Sequence, residues 1–274
     1  MFQVPEVIET IEIGKNKAYS AIDMPEMHTH SYYELYFLLS GERRYFIGHT
    51  IYDVSPGDVV VIPRNTLHRT TVRNSKGYER YVVYFSESYA KEMQNRLGIN
   101  VFNHFIQAGC IQLPPEWAEK VRYTLEEMKQ EIARKEKYSD IMLQNLFHYI
   151  IIILLRHGRN KQRENGREAG KIQDVAKYIS ENYSSVITLS SAAKMAYMEN
   201  TYFSKKFKRL TGFGFHEYLI QTRIKAAERL LVHSNLTISE VSERCGFSSS
   251  NYFGDVFRNW NGIAPSEYRK RMKN

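Results

Sequence analysis

The chain has 274 residues, 43% of them hydrophobic and 25% charged, and its formal net charge at pH 7 is +8. This length allows about two domains, and the composition is typical of soluble globular proteins. The two cysteines, Cys110 and Cys245, exclude a disulfide framework and a cysteine-based zinc site, so we expect a reducing compartment. The N-terminus has no basic segment followed by an apolar one, and we therefore predict a cytoplasmic protein.

The positive charge is concentrated in the C-terminal part of the chain. Residues 171–274 contain 16 Lys and Arg against 9 Asp and Glu, whereas residues 1–170 contain 22 against 21. A charge excess alone is usually a solvated surface. A basic helical segment is also what a protein presents to the phosphate backbone of nucleic acid, so the motifs within this segment decide between the two interpretations.

Short β-rich runs follow one another from Tyr32 to Phe85, with turn residues and no helical pattern between them. They predict six strands over Tyr33–Leu39, Arg44–Ile47, Ile51–Val54, Val59–Ile62, His68–Val72 and Tyr78–Phe85. Strands spaced this closely predict an antiparallel sandwich or barrel.

Helical patterns begin after Phe85. They predict a helix over Ser88–Leu97, a second from Pro115 to about Lys137, and a third over Ser139–His157 that Ser139 caps. The apolar side of the third helix is broad enough to cover the barrel and also to contact a second subunit, so we expect a homodimer. Its apolar run, Ile150–Leu155, is too short to span a bilayer, and we expect no membrane partner.

Residues 158–170 have almost no apolar side chains and are rich in charge and glycine. Such a segment cannot bury a face, which predicts a linker. The predicted domains are therefore 1–157 and 171–274, an α+β fold with a β-barrel and a helical hairpin followed by an all-α domain.

One spacing, F-x3-F-x4-G-x5-Y, occurs twice in the basic segment. The first copy begins at Phe203 and the second at Phe253. Each copy is preceded by a threonine, Thr188 or Thr237, that leads into apolar residues at helical spacing and predicts a capped helix. A short helix, a tight turn and a second helix form a helix-turn-helix, so the sequence predicts two of these motifs.

The strand region contains two histidine motifs. The first fits H-x-H-x3-E-x6-G with His28, His30, Glu34 and Gly41, and the second fits most of G-x5-P-x-G-x2-H with Gly57, Pro63 and His68. They resemble the two motifs of the cupin superfamily, a small β-barrel, although Asn65 and Val72 depart from the second motif.

In metal-binding cupins the positions of His28, His30, Glu34 and His68 hold one metal ion. Three imidazoles and a carboxylate suit a divalent transition metal. The same residues also suit a metal-free pocket, as in the sensor barrels of transcription factors, and we favour that interpretation. Both interpretations stay open, and we expect that the protein requires no cofactor for its function.

The duplicated region, with Ile238–Arg269 as its strongest segment, resembles the AraC type of transcriptional regulator. The matching residues include Gly246-Phe247, Tyr252-Phe253 and Tyr268-Arg269. The resemblance implies a regulator, most often an activator, that binds double-stranded DNA and RNA polymerase and responds to a small effector, a carbohydrate, in the barrel. Tyr197 departs from the pattern because glycine is frequent at that turn, and we expect a slightly different turn there.

The resemblance also implies the functional residues. The second helices, Asn200–Arg209 and Ser249–Arg258, are the recognition helices, joined through a long helix over Phe215–Leu231. Base contacts fall on Thr201, Ser204, Lys205, Ser250, Asn251 and Asp255; the candidate phosphate contacts are Lys206, Lys208, Arg209 and Arg258. The effector pocket is expected at His28, His30, Glu34, Tyr36, Arg44 and His68.

Asp255 departs from the family, which often has Arg or Lys at this groove-facing position. Phosphates repel a carboxylate, although it could accept a hydrogen bond from cytosine N4. The chain is predicted to be a regulator and not an enzyme. The alternative is a metal-dependent cupin enzyme fused to a DNA-binding domain, which metal analysis and turnover would identify.

Overall fold

A computed structural model describes residues 10–20, 29–73, 76–97, 109–161 and 166–273. The chain divides into two compact units, Met1–Asn165 and Gly166–Asn274. The described strands of the first unit are β1 (Ile11–Ser20), β2 (Tyr33–Ser40), β3 (Arg43–Ile47), β4 (Thr50–Val54), β5 (Asp58–Ile62), β6 (His68–Val72), β7 (Lys76–Phe85), β8 (Cys110–Gln112) and β9 (Arg159–Asn160). All six predicted strands are present.

The strands form two antiparallel sheets, in the orders β1-β7-β2-β5-β8-β9 and β4-β3-β6. Because side chains alternate between the two faces of a strand, the larger sheet supplies two cores. Tyr36 and Val82 lie in the core between the sheets, whereas Leu35 and Val83 lie in a second core on the other face. This is the predicted cupin-like arrangement, with the interior between the sheets as its candidate pocket.

Three described helices, α1 (Glu87–Leu97), α2 (Pro115–Arg134) and α3 (Ser139–His157), cover the second core. α2 and α3 pack together as the predicted hairpin. The prediction that Ser139 caps α3 was wrong. Ser139 is the first helical residue, and its Oγ donates to Glu131 Oε1 of α2 at 2.8 Å. By length and composition α3 could cross a membrane, but Phe147 and Ile151 belong to the core against the sheet.

The predicted linker over 158–170 is shorter in the structure. Arg159–Asn160 pairs with β8, and Lys161 forms an ion pair with Asp58. A strand edge needs only backbone groups for pairing, so composition could not reveal this extension of the sheet. At the other end, α4 begins at Arg167, because Arg, Glu and Ala are good helix formers even without an apolar face.

The described part of the second unit is helical throughout. Its helices are α4 (Arg167–Asn182), α5 (Leu189–Met195), α6 (Asn200–Thr211), α7 (Phe215–His233), α8 (Ile238–Arg244), α9 (Ser250–Asn261) and α10 (Pro265–Lys273). The pairs α5–α6 and α8–α9 are the two predicted helix-turn-helix motifs, and α7 runs between them. The fold class is confirmed as α+β.

The turns of the two motifs have the same backbone geometry. Tyr197 donates its N–H to Lys194 O at 3.0 Å, and Gly246 donates to Glu243 O at 2.9 Å. Both residues are left-handed, with φ of 55° and 79°. The prediction of a different turn at Tyr197 was wrong: the flanking hydrogen bonds hold this residue in a conformation that costs a non-glycine residue roughly 1–2 kcal/mol.

Candidate nucleic-acid interface and effector pocket

Both helix-turn-helix motifs are fixed by capping at their first helix. Thr188 Oγ1 accepts from the Ser191 N–H at 3.1 Å, and Thr237 Oγ1 accepts from the Glu240 N–H at 3.2 Å. In each motif the backbone N–H of the threonine donates to the side chain of the third helical residue, Ser191 or Glu240, which completes a capping box. The predicted caps are therefore confirmed, and they set the direction of the helix that precedes each recognition helix.

The duplicated aromatic residues anchor α6 and α9, the predicted recognition helices. Phe203 and Phe207 are fully buried, with ring centroids 5.5 Å apart, and Phe253 and Phe257 repeat this arrangement at the same separation. On an amphipathic helix, burial of one side fixes which residues face outward. The predicted base-contact residues Thr201, Lys205, Asn251 and Asp255 are exposed, and Ser204 and Ser250 are partly exposed.

The candidate phosphate contacts divide into two groups. Lys208, Arg209 and Arg258 are exposed on the recognition helices. Lys206 is only 8% exposed, and its ammonium group forms an ion pair with Glu168 of α4. Lys206 is therefore corrected from a phosphate contact to a residue that fixes α6 on α4, because it lies on the buried side of α6 beside Phe207.

The long helix α7 connects the two motifs. Its 19 residues span about 28 Å at about 1.5 Å per residue, compared with about 34 Å between successive major grooves on one side of B-DNA. Tyr218 fixes α7 on α4 by donating to Ala176 O at 3.3 Å. Arg223 of α7 donates to Tyr183 O and Ser185 O at 2.8 and 2.9 Å, which ties down the loop before the first motif.

In the first unit, three predicted pocket residues converge between the sheets. The ligand atoms of His30, Glu34 and His68 all lie within 4.8 Å of one another. Glu34 Oε2 is 3.0 Å from His30 Nε2 and 3.7 Å from His68 Nε2. Each imidazole uses its Nδ1 for a backbone carbonyl: His30 contacts Tyr32 O at 2.8 Å, and His68 contacts Thr66 O at 2.9 Å. His28 lies outside the described residues.

This triad fits the donor set of a transition-metal site. Tetrahedral ligands about 2.1 Å from a metal lie about 3.4 Å apart, close to the two distances from Glu34. A bond from Nδ1 to a carbonyl also directs Nε2 toward the metal, as in most histidine sites. Burial alone would raise the pKa of Glu34, but the hydrogen bond from His30 and the charges of His68, His30 and Arg80 outweigh it and keep that pKa below its usual range. The carboxylate is therefore ionised at neutral pH.

Arg44 does not belong to the pocket. Its guanidinium donates to both carboxylate oxygens of Asp53, at 2.6 and 2.8 Å, between the adjacent strands β3 and β4. Its neighbour Arg43 is the inward residue, 2% exposed, with Nε donating to Thr70 Oγ1 at 3.1 Å. Neighbouring residues of a strand face opposite sides, so the prediction chose the wrong one of two consecutive arginines.

Sequence reasoning also missed Arg80 of β7. Its Cζ lies 5.1 Å from the ring centroid of Tyr36, which is fully buried between the sheets. A signal for Arg80 was available, because it alternates with Tyr78 and Val82, which face the interior. The same alternation that identifies β7 as a strand therefore also indicates that Arg80 faces the interior.

Two known domain families match the chain. A helix-turn-helix domain matches residues 192–271, and an AraC-like ligand binding domain matches residues 17–169, more than half of the sequence. The chain belongs to the AraC family. As a member, it is a DNA-binding transcriptional regulator whose first unit is the ligand-binding domain.

Similar proteins span different parts of this regulator. The HTH-type transcriptional activator RhaR of Salmonella dublin is 26% identical over 252 residues, which cover 88% of this chain and 86% of RhaR. The regulator YijO of Escherichia coli K12 is 36% identical over 126 residues, 44% of each chain. The DNA-binding domain of AdpA, solved with a target DNA, is 32% identical and covers 37% of this chain and 91% of that domain, with a TM-score of 0.36.

Proposed function

We propose that this AraC-family protein is a cytoplasmic activator that places α6 and α9 in neighbouring major grooves and binds a carbohydrate in its first unit. The observation that supports the DNA contacts is the pair of capped, aromatic-anchored helices with exposed polar faces on a basic unit. RhaR, to which the chain is similar, is a transcriptional activator, and this supports activation and with it a contact to RNA polymerase.

Selection of binding sites from random duplex DNA, followed by salt titration, tests the DNA contacts. Lys205→Ala should cost about 1–3 kcal/mol on the selected site and relax one base position, because its exposed ammonium can donate to a base edge. Lys208→Ala should weaken binding on all sequences and reduce the salt slope by about 1. Lys177→Ala is the control, since this exposed α4 lysine pairs with Glu181 at 3.9 Å. Salt-insensitive attachment of wild type would refute the proposal.

A homodimer is supported by apolar side chains that α3 leaves in solvent. Ile141, Met142 and Tyr149 are 56%, 50% and 45% exposed and lie within one side of the helix. Contact with a second copy would bury this surface. Met142→Glu should therefore shift the mass measured by light scattering from dimer to monomer, whereas Glu127→Gln on the exposed side of α2 should leave it unchanged. A wild-type monomer at micromolar concentration would contradict this part of the proposal.

A divalent metal at His30, Glu34 and His68 is the second candidate, supported by the converging ligand atoms and the two Nδ1 contacts. When bound, the ion would supply a Lewis acid for a hydroxyl of the effector. Dialysed protein should bind Co2+ with a visible spectrum that Glu34→Gln removes. His216→Ala, at an exposed site in the second unit, controls for adventitious binding. Turnover of a substrate by the loaded protein would instead support the cupin enzyme alternative.

A further inference from the structure

The interior between the two sheets contains a cationic cluster that the metal triad and the carbohydrate proposal leave unexplained. We propose that Arg80, Tyr36 and Tyr45, with Arg43 beside them, form a subsite for the carboxylate of the effector, which makes the effector a sugar acid and not a neutral sugar. This inference rests on the proposed binding of a carbohydrate in the first unit.

The two guanidinium groups meet at one aromatic ring. The Cζ atoms of Arg43 and Arg80 lie 4.4 and 5.8 Å from the ring centroid of Tyr78. Arg43 enters from β3 and Arg80 from β7, so the cluster bridges the two sheets. A planar guanidinium is well suited to bind a carboxylate through two parallel hydrogen bonds.

Three polar atoms of this cluster lack a partner. Among the described residues, Arg80 Nε and the hydroxyls of Tyr36 and Tyr45 are buried without a hydrogen bond. Such atoms cost free energy unless something satisfies them. The atoms are neighbours, because the Tyr36 ring lies 4.9 Å from the Tyr45 ring and 5.1 Å from Arg80 Cζ. A phenol hydroxyl carries an O–H donor and can donate to an anion.

The charges around the cluster also favour an anion. The buried carboxylates described in the first unit are Glu34, Asp53 and Asp58. Asp53 is paired with Arg44, and Asp58 with Lys161. Glu34 is hydrogen-bonded to His30, and no described carboxylate lies within ion-pair distance of Arg80. Glu34 therefore acts on Arg80 only from beyond ion-pair distance, and one ligand carboxylate would supply a contacting counter-charge with acceptor positions for all three atoms.

Arg80 is preferred over the triad as the carboxylate partner because a carboxylate beside Glu34 would meet a like charge. The triad can instead contact hydroxyl groups of the same effector, since Nε2 atoms and carboxylate oxygens accept or donate to alcohols. The interior thus has an end that suits an acid and an end that suits hydroxyls. This combination describes a hexuronate or an aldonate.

The test compares matched pairs of ligands on the full chain. Glucuronate and glucose, galacturonate and galactose, and mannuronate and mannose are titrated by calorimetry in EDTA, with ionic strength equalised by NaCl. At least one hexuronate should bind ten-fold or more tightly than its hexose. Arg80→Met should weaken that hexuronate at least ten-fold and leave hexose binding unchanged. Arg44→Met is the control, because Arg44 pairs with Asp53 outside the cluster, and it should affect neither ligand.

Tyr36→Phe keeps the ring and removes one donor, so it should weaken the binding of the hexuronate and leave hexose binding unchanged. This variant provides the same test if Arg80→Met does not fold. Equal affinity for acids and hexoses, or an equal loss of both ligands in the Arg80 and Tyr36 variants, would overturn the inference while leaving carbohydrate binding in place. Binding of no acid and no hexose would overturn the inference and the carbohydrate proposal together.

Discussion

Gly246 determines whether the second helix-turn-helix can pack beside the first. Its φ is +79°, and a Cβ at this position would lie 2.6 Å from the carbonyl oxygen of Ser184. Ser184 lies in the loop that Arg223 of α7 holds through Tyr183 O and Ser185 O. A side chain at residue 246 would therefore collide with a backbone segment that hydrogen bonds hold in place. Moving either segment to relieve the collision would cost free energy.

The cost of Gly246→Ala can be worked out from these two features. The left-handed backbone costs an alanine about 1–2 kcal/mol, and the collision adds about 1–3 kcal/mol. The lower entropy of the unfolded chain returns about 0.4–1 kcal/mol. The net loss of about 3 kcal/mol is a large part of the stability of an ordinary domain, and it should lower the Tm of the second unit by roughly 10–20 °C.

Tyr197→Ala is the matched control at the same position of the first motif. Tyr197 already occupies the left-handed region, and its side chain is 85% exposed. Within the described part of the chain, the substitution removes a contact with Lys171, whose Nζ lies 5.2 Å from the ring centroid, a loss of about 0.5–1 kcal/mol. The two alanine variants should therefore differ by about 2 kcal/mol.

Thermal unfolding followed by tryptophan fluorescence measures this difference. The two tryptophans fall in different units, Trp117 in α2 and Trp260 in α9. In a Trp117→Phe background, the signal reports the second unit alone. Equal Tm values for the two alanine variants would show that the Ser184 carbonyl moves away freely, and the reasoning from close approach would be refuted.

The remaining predictions concern single contacts. Thr237→Ala should lower the stability of the second unit by about 1 kcal/mol, measured by urea titration, whereas Thr237→Ser should retain most of it; equal losses would mean that the capping bond contributes nothing. Glu168→Gln should weaken the hold of α4 on Lys206, because the hydrogen bonds from Lys206 and Tyr202 hold the pKa of Glu168 below its usual range. This contribution to the stability of the second unit is present above the ordinary pKa of a glutamate and disappears as the pH falls through the lowered pKa of Glu168 in the folded state. Over this pH range the variant should therefore lose less stability than the wild type, measured by acid unfolding. Equal losses would contradict this.

Several features of the fold could be read from the sequence because they are local. Thr188 and Thr237 precede apolar residues at helical spacing, and capping needs only the threonine and the next three backbone N–H groups. The strands were equally clear, since turn residues bound each of them. Ser139 misled because a serine before an apolar helix is a good cap, but Glu131 of the neighbouring helix binds its hydroxyl instead.

The site was less predictable because it depends on which face each residue takes and on partners far along the chain. Arg43 and Arg44 are the same residue type at adjacent positions, so the sequence does not distinguish them. The pairing of β3 with β4 and β6 places Arg43 on the inward face. Lys206 follows Lys205 in the sequence, but its ammonium group forms an ion pair with Glu168, which is 38 residues away. Spacing alone places residues on a helix or a strand; the neighbouring elements decide what each charge contacts.

The two predicted recognition helices differ in charge, although they have the same length and the same left-handed glycine at the C-terminal end. α6 presents Lys205, Lys208 and Arg209 to solvent, whereas α9 presents Arg258 together with Asp255. Because each phosphate contact contributes to affinity through counterion release, most of the salt-dependent binding should come from the first motif. The second motif then needs its rigid placement more than its charge, and the close approach at Gly246 supplies that placement. Substitution of the exposed cations of α6 should accordingly reduce the salt dependence of DNA binding more than substitution of Arg258 in α9.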